Sequence, residues 1–200
     1  AAHGWSLDGV YAGSCRSLCA DERSLRERDG RPPALRLRSD DVEVTVDDRL
    51  CGAVSMHVDD FVIRRNDGVP AYNLAVVVDD ADQGVEEVVR ADDLLPTTPR
   101  QVHLARLLGL PPVVYAHVPL VLGTDGRRLA KRHGSVTLDD CLAAGWTSSE
   151  LLCFLAGSAG VGVPEDGVVR TPRDLLAGFD PRRIPRDPAV WTGVPPSVTN

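Results

Sequence analysis

The stretch Phe61-Val-Ile-Arg-Arg-Asn-Asp-Gly-Val-Pro-Ala-Tyr-Asn-Leu-Ala-Val-Val-Val-Asp-Asp80 marks a change in the kind of structure that the sequence predicts. Phe61–Arg65 predicts a β-strand, and Asn66-Asp67-Gly68 predicts a turn because Asn and Gly both tolerate a positive φ. The continuous apolar run Leu74–Val78 predicts an element buried on both faces, either a strand or a helix.

Upstream of this stretch, apolar and polar residues alternate. The alternation in Ala34–Arg38 and in Val42–Val46 predicts half-buried antiparallel strands, and residues 21–29 predict a short charged helix or loop. Residues 1–70 therefore predict a small β-rich module.

Downstream, the pattern changes to strand, helix, strand. Val88-Val-Arg90 predicts the end of a strand, and residues 98–108 predict a helix with Thr98 as its N-cap and a stop at Gly109. Pro112–Ala116 predicts the next strand, so the fold class is α/β with a parallel sheet.

The last third of the chain predicts helices followed by an extended tail. The helices are expected over residues 138–144, 148–155 and 171–178, and residues 180–200 are rich in Pro and Arg. The predicted organisation is therefore an inserted module over 1–70, a sheet domain over 71–134, and a helical region with its tail over 135–200.

Composition narrows the class of protein. A net charge of −7 argues against a generally basic nucleic-acid coat, and no apolar run is long enough to span a membrane. Five cysteines without a regular framework favour reduced thiols in the cytoplasm.

The chain begins without Met, which suggests a piece of a longer protein. Lys131 is the only lysine in the sequence, which has 21 arginines.

Three segments are candidates for chemistry. Gly123–Gly134 is a Gly-bounded loop rich in cations, suited either to closing over a triphosphate or simply to solvation. Tyr72 and Arg90 are expected at the carboxyl edge of the sheet, where ligands bind, although a packed aromatic and an ordinary ion pair are the alternatives. Tyr11 and Cys15 are four residues apart, which alone indicates nothing.

Taken together, these segments resemble one family. Phe61–Asp80, Val89–Gln101 and Arg128–Arg132, with His133-Gly134 following, are similar in order and spacing to glutamyl-type class I aminoacyl-tRNA synthetases. Leu175–Arg186 resembles the end of the family's short members, which lack the C-terminal anticodon-binding domain. Those members transfer glutamate to queuosine in the anticodon of tRNA(Asp).

The resemblance implies a fold and a set of roles. The fold would be the second half of a Rossmann-type sheet, in a monomeric enzyme that uses ATP with Mg²⁺. Tyr72 and Arg90 match the residues that bind glutamate, and the catalytic Lys131 matches the ATP-binding lysine of the Lys-Met-Ser-Lys-Ser loop. That loop is here Arg128-Leu129-Ala130-Lys131-Arg132, with Arg128 in place of the usual Lys and Ala130 in place of the usual Ser.

The same resemblance implies parts that this sequence lacks. Tyr11 and Cys15 match two ligands of a zinc site whose Cys-x-Cys half would lie upstream, as would the His-Ile-Gly-His signature. The chain is therefore expected to be the C-terminal part of the enzyme and to be inactive by itself. The alternatives are a truncated glutamyl-tRNA synthetase that charges tRNA(Glu) and a non-catalytic tRNA-binding remnant.

Overall fold

The computed structural model describes residues 11–28, 32–129, 136–163, 168–193 and 195. These residues form two compact units. Unit 1 takes its residues from 1–89 and 94–116, and unit 2 takes its residues from 90–93 and 117–200. Within the described ranges, no helix has the length and apolar character needed to cross a membrane.

The N-terminal half of unit 1 is built from one helix and four short strands. They are α1 (Ala20–Arg28), β1 (Leu35–Leu37), β2 (Glu43–Asp48), β3 (Gly52–His57) and β4 (Phe61–Arg64). β1 pairs antiparallel with β4, and β2 pairs antiparallel with β3. The three predicted strands are thus confirmed, β3 is an additional strand, and of the two alternatives for the charged segment, helix or loop, the structure has the helix.

The remaining elements of this half of the chain are two helices and two strands. They are α2 (Tyr72–Asp82), β5 (Glu87–Ala91), α3 (Thr98–Leu108) and β6 (Val114–Val118). The main sheet has the strand order β3-β2-β6-β5, and β2 runs parallel to β6 with Asp48 opposite Tyr115. The predicted α/β class with parallel pairing is confirmed.

Two details of the sequence prediction are corrected by these elements. Leu74–Val78 lies within α2, and only Val77 of that helix is fully buried, so burial on both faces was wrong. Thr98 is the first residue of α3 rather than its N-cap. The N-cap position belongs to Thr97, and the hydroxyl of Thr98 donates to the carbonyl of Leu94.

The core of unit 1 follows from the alternation in β2. Side chains alternate along a strand, and in β2 Val44, Val46 and Asp48 are buried while their neighbours are exposed. The two valines belong to a buried cluster that also contains residues of β4, α2, α3 and β6 and one residue that follows β3. Its other members are Val58, Phe61, Val77, Leu104 and Tyr115.

The described part of unit 2 contains two α-helices and a two-stranded sheet. The elements are β7 (Val121–Gly123), α4 (Leu138–Ala143), α5 (Ser148–Ser158) and β8 (Ala189–Trp191), with β7 and β8 parallel. Both helices begin with capping boxes, Thr137 with Asp140 and Thr147 with Glu150. The hydrogen bonds from Thr137 hold the pKa of Asp140 below its usual value.

An aromatic cluster forms the core of unit 2. The indoles of Trp146 and Trp191 are stacked with 4.6 Å between their centroids, and Phe154 meets Trp191 edge-on at 5.1 Å. The predicted extended tail is wrong at residues 181–183, which form a 3-10 turn, whereas Trp191 lies in the extended strand β8. Residues 172–178 form a 3-10 helix.

We expect Asp48→Ala to destabilise the full-length protein by about 1–3 kcal/mol. Asp48 is 5% exposed, and its Oδ1 accepts from the backbone N–H groups of Leu50 (2.9 Å) and Cys51 (2.8 Å) at the turn after β2. The alanine variant leaves both donors without that acceptor. The urea midpoint measures the effect. Asp47→Ala, at the exposed neighbouring position of the same strand, is the control, and an equal shift for both variants would contradict this account.

Candidate functional site

Arg90 lies near the end of β5, where the sequence places it. Its side chain is half-buried, and its Nε donates a hydrogen bond of 3.1 Å to Nε2 of His117. His117 is in β6, the strand beside β5 in the sheet order, and it is 1% exposed. A half-buried guanidinium at a strand end can form a forked pair of hydrogen bonds with a carboxylate.

No motif in the sequence singles out His117. In this contact Nε2 is the acceptor and Arg90 is the donor, so the arrangement uses the tautomer that has its proton on Nδ1. The available signal was a histidine in the middle of the apolar strand Val-Tyr-Ala-His-Val of residues 114–118. A buried polar side chain in such a strand requires a partner, and Arg90 is that partner here.

Arg128 is the first residue of the signature loop, and the structure pairs it with Asp93. Asp93 lies in the 3-10 turn of residues 92–97, which follows β5 directly. The base of the loop is a hairpin in which the N–H of Gly123 donates to the carbonyl of Arg127 (2.8 Å). Leu129 is the next residue of the loop and is still described. The remaining predicted loop residues, Ala130, Lys131 and Arg132, lie outside the described residues.

Both links involve the short segment of residues 90–93. Arg90 bonds to β6 and Asp93 bonds to the loop after β7, all within unit 2. The segment of residues 90–93 therefore contains the predicted glutamate-binding arginine and also contacts Arg128, the first residue of the predicted ATP loop. A group bound by Arg90 and a change in the loop would both act on that segment.

Tyr72 belongs to unit 1 and is the first residue of α2, so the run that it precedes is a helix, and that helix is not buried on both faces. It is 57% exposed, which leaves its ring accessible to a ligand. The neighbouring Asn73 accepts through Oδ1 a 3.0 Å hydrogen bond from Nε2 of Gln101, which is itself 1% exposed. This amide pair fixes the start of α2 against α3 and so sets the position of the tyrosine.

Tyr11 and Cys15 are close together in unit 1. The phenol oxygen of Tyr11 accepts a 2.7 Å hydrogen bond from the N–H of Cys15, and the Arg26 guanidinium lies 3.2 Å from the cysteine Sγ. Among the residues that the structure describes, no group of three or more His, Cys, Asp or Glu could hold a metal ion. These two residues alone do not fit a structural zinc site, which needs four ligands.

Comparison with known proteins identifies the family. Residues 6–164 match the tRNA synthetases class I (E and Q), catalytic domain. The chain belongs to this family of class I tRNA synthetases for glutamate and glutamine.

Two curated relatives and one solved structure are particularly similar. The chain is 55% identical to the glutamyl-Q tRNA(Asp) synthetase of Nocardia farcinica, over 92% of this chain and 57% of that protein. It is 46% identical to glutamate–tRNA ligase 1 of Alkalilimnicola ehrlichii, over 72% of this chain and 31% of that protein. The chain thus spans little more than half of the Nocardia protein.

The solved structure is a glutamate tRNA ligase from Elizabethkingia meningosepticum in complex with its amino acid. It superimposes with a TM-score of 0.64 at 24% identity, covering 90% of this chain and 40% of that one. At this identity the likeness supports the fold alone, and it agrees with the α/β architecture described above.

We expect Asn73→Ala to destabilise the full-length protein by about 1–3 kcal/mol, because it removes the acceptor of the buried Gln101 amide. The midpoint of thermal unfolding measures the loss. The control is Asp79→Ala, at an exposed position of the same helix. If Asn73→Ala unfolds at the temperature of the control, the amide pair does not hold α2 in place.

Proposed function

We propose that the full-length protein activates glutamate with ATP and transfers the glutamyl group to queuosine in the anticodon of tRNA(Asp). The observation that carries this proposal is 55% identity, over nearly the whole chain, to a relative named for that reaction. Glutamate and ATP would form glutamyl-adenylate with release of pyrophosphate. A hydroxyl of the queuosine cyclopentene ring would then attack the acyl carbon and release AMP.

Arg90 and Tyr72 would bind the glutamate in this reaction. The half-buried guanidinium of Arg90 provides charge-assisted hydrogen bonds to a carboxylate, and the exposed hydroxyl of Tyr72 can donate to a second polar group. Both residues stand on hydrogen-bonded supports, Arg90 on His117 and Tyr72 beside the Asn73–Gln101 pair. Such supports restrict the side chains before substrate arrives, which lowers the entropic cost of binding.

Lys131 and the loop around it would act on ATP. The ammonium group of a lysine is a compact positive charge that can follow a phosphate oxygen as negative charge develops on it. Arg128 would keep a positive charge where the family usually has lysine, and its contact with Asp93 fixes the start of the loop. Positioning and electrostatic stabilisation then suffice without a dedicated general base.

Three further parts of the proposal concern the whole protein. We place the reaction in the cytoplasm, since five cysteines without a regular framework favour reduced thiols. The enzyme would work as a monomer with Mg²⁺ bound to ATP. A zinc site would require ligands beyond Tyr11 and Cys15.

The second candidate is a glutamate–tRNA ligase acting on tRNA(Glu), which is supported by the 46% identity to the Alkalilimnicola protein. The full-length protein should be given radioactive glutamate with either queuosine-containing tRNA(Asp) or tRNA(Glu). We expect labelling of tRNA(Asp) only, and none when its queuosine is replaced by guanosine. Labelling of tRNA(Glu) alone would establish the second candidate. Absence of labelling and of adenylate formation would favour a non-catalytic tRNA-binding protein.

Lys131→Ala in the full-length protein should slow glutamate-dependent ATP–pyrophosphate exchange by about a hundredfold, because it removes a charge that stabilises the transition state. Arg182→Ala is the matched control. Arg182 is 88% exposed and paired with Asp180, and its loss should leave the exchange rate unchanged. An unaltered rate in Lys131→Ala would remove this residue from the proposed mechanism.

A further inference from the structure

We propose that His117 is a positioning residue that orients Arg90 for the carboxylate of glutamate. This inference rests on the proposed function, because it needs Arg90 to contact the amino acid. It adds a residue that the resemblance does not supply and that acts through Arg90 rather than by touching the substrate.

The geometry that supports the proposal is a hydrogen bond between neighbouring strands. Nε of Arg90 in β5 lies 3.1 Å from Nε2 of His117 in β6, and the imidazole is 1% exposed. A ring buried to this degree has little freedom to rotate, since its neighbours are close-packed. It therefore provides a fixed acceptor, and the acceptor fixes the plane of the guanidinium.

The bond through Nε also selects a binding mode. A guanidinium can grip a carboxylate side-on, through Nε and one terminal nitrogen, or end-on, through its two terminal nitrogens. His117 engages Nε, so the side-on mode would compete with the existing hydrogen bond. The structure thus favours end-on recognition by Arg90, in which the carboxylate lies along the axis of the side chain.

The acceptor that His117 offers to Arg90 carries no negative charge. A carboxylate at the position of His117 would also accept from Arg90, but it would offset the positive charge that attracts the substrate. An imidazole holds the guanidinium through a hydrogen bond without placing a negative charge of its own beside it.

The test compares two amides of different reach in the full-length protein. In His117→Gln the amide oxygen can reach the position of Nε2, whereas in His117→Asn it is one methylene too short. We expect the KM for glutamate to stay within about twofold of the natural protein in His117→Gln and to rise about tenfold or more in His117→Asn, as loss of a hydrogen bond to a charged group requires. The KM for ATP and kcat should change little in either variant. His57→Gln, at an exposed histidine, is the control.

A double substitution separates positioning from a general structural role. If His117 acts only through Arg90, His117→Asn should leave the glutamate KM of an Arg90→Ala protein unchanged. Equal effects of His117→Asn with and without Arg90 would overturn the proposal, as would equal KM values for the Gln and Asn variants. An Arg90→Ala protein with an unaltered glutamate KM would instead remove Arg90 from the site. Absence of any glutamate activation by the natural protein would overturn the proposed function itself.

A measurement on the natural protein does not depend on how well the variants fold. The ¹⁵N chemical shifts of the His117 ring report which nitrogen carries the proton. We expect a protonated Nδ1 and a bare Nε2 both without and with glutamate. A proton on Nε2 in either state would overturn the proposal, because that nitrogen could not then accept from Arg90.

Discussion

The parallel contact between β2 and β6 is the constraint on which unit 1 depends. β2 pairs with β3 on one side and with β6 on the other, and the N–H of Arg49 donates to the carbonyl of Tyr115 over 2.9 Å. Without β2, β6 would be an edge strand with unpaired backbone groups. β2 and β6 also contribute Val44, Val46 and Tyr115 to the hydrophobic core, so strand pairing and burial support one another.

β6 connects this constraint to the candidate site. Alternate residues of a strand share a face of the sheet, so Tyr115 and His117 share one. Tyr115 packs into the core of unit 1, and two residues later His117 receives the hydrogen bond of Arg90. A shift of β6 by one residue would turn both side chains to the opposite face. The register that buries the tyrosine is therefore also the register that presents the imidazole to Arg90.

Sequence patterns predicted most of the elements, and the exceptions have physical reasons. Alternation of apolar and polar residues identified β1 and β2, and in β2 it corresponds to one buried face. It did not identify β3, Gly52–His57, where the alternation of Val54 and Met56 with Ser55 and His57 covers only four residues. The run Leu74–Val78 left strand and helix open, since a short apolar run satisfies both periods. The length of Tyr72–Asp82, which is set by tertiary packing, decides for the helix.

The site was predictable in its parts but not in its connections. Arg90 at a strand end and the cation-rich loop were visible in the sequence, and the resemblance gave them roles. The contacts Arg90–His117 and Asp93–Arg128 join residues 27 and 35 positions apart, and no local pattern encodes such distances. Asn73 and Gln101 are a similar case, because an amide pair between two helices leaves no periodic signal.

The parallel pairing of β7 with β8 has a consequence for biosynthesis. Val121–Gly123 leads into the cation-rich loop, and its partner strand Ala189–Trp191 lies close to the end of this sequence. Pairing the two closes a loop that contains α4 and α5, and chain entropy makes such distant contacts slow to form. β7 can form the short hairpin with Arg127–Leu129 at once, but its parallel pairing with β8 must wait until the ribosome has released residues 189–191. A nascent chain can form the β2–β3 hairpin early, whereas the β7–β8 pairing waits for residues 189–191.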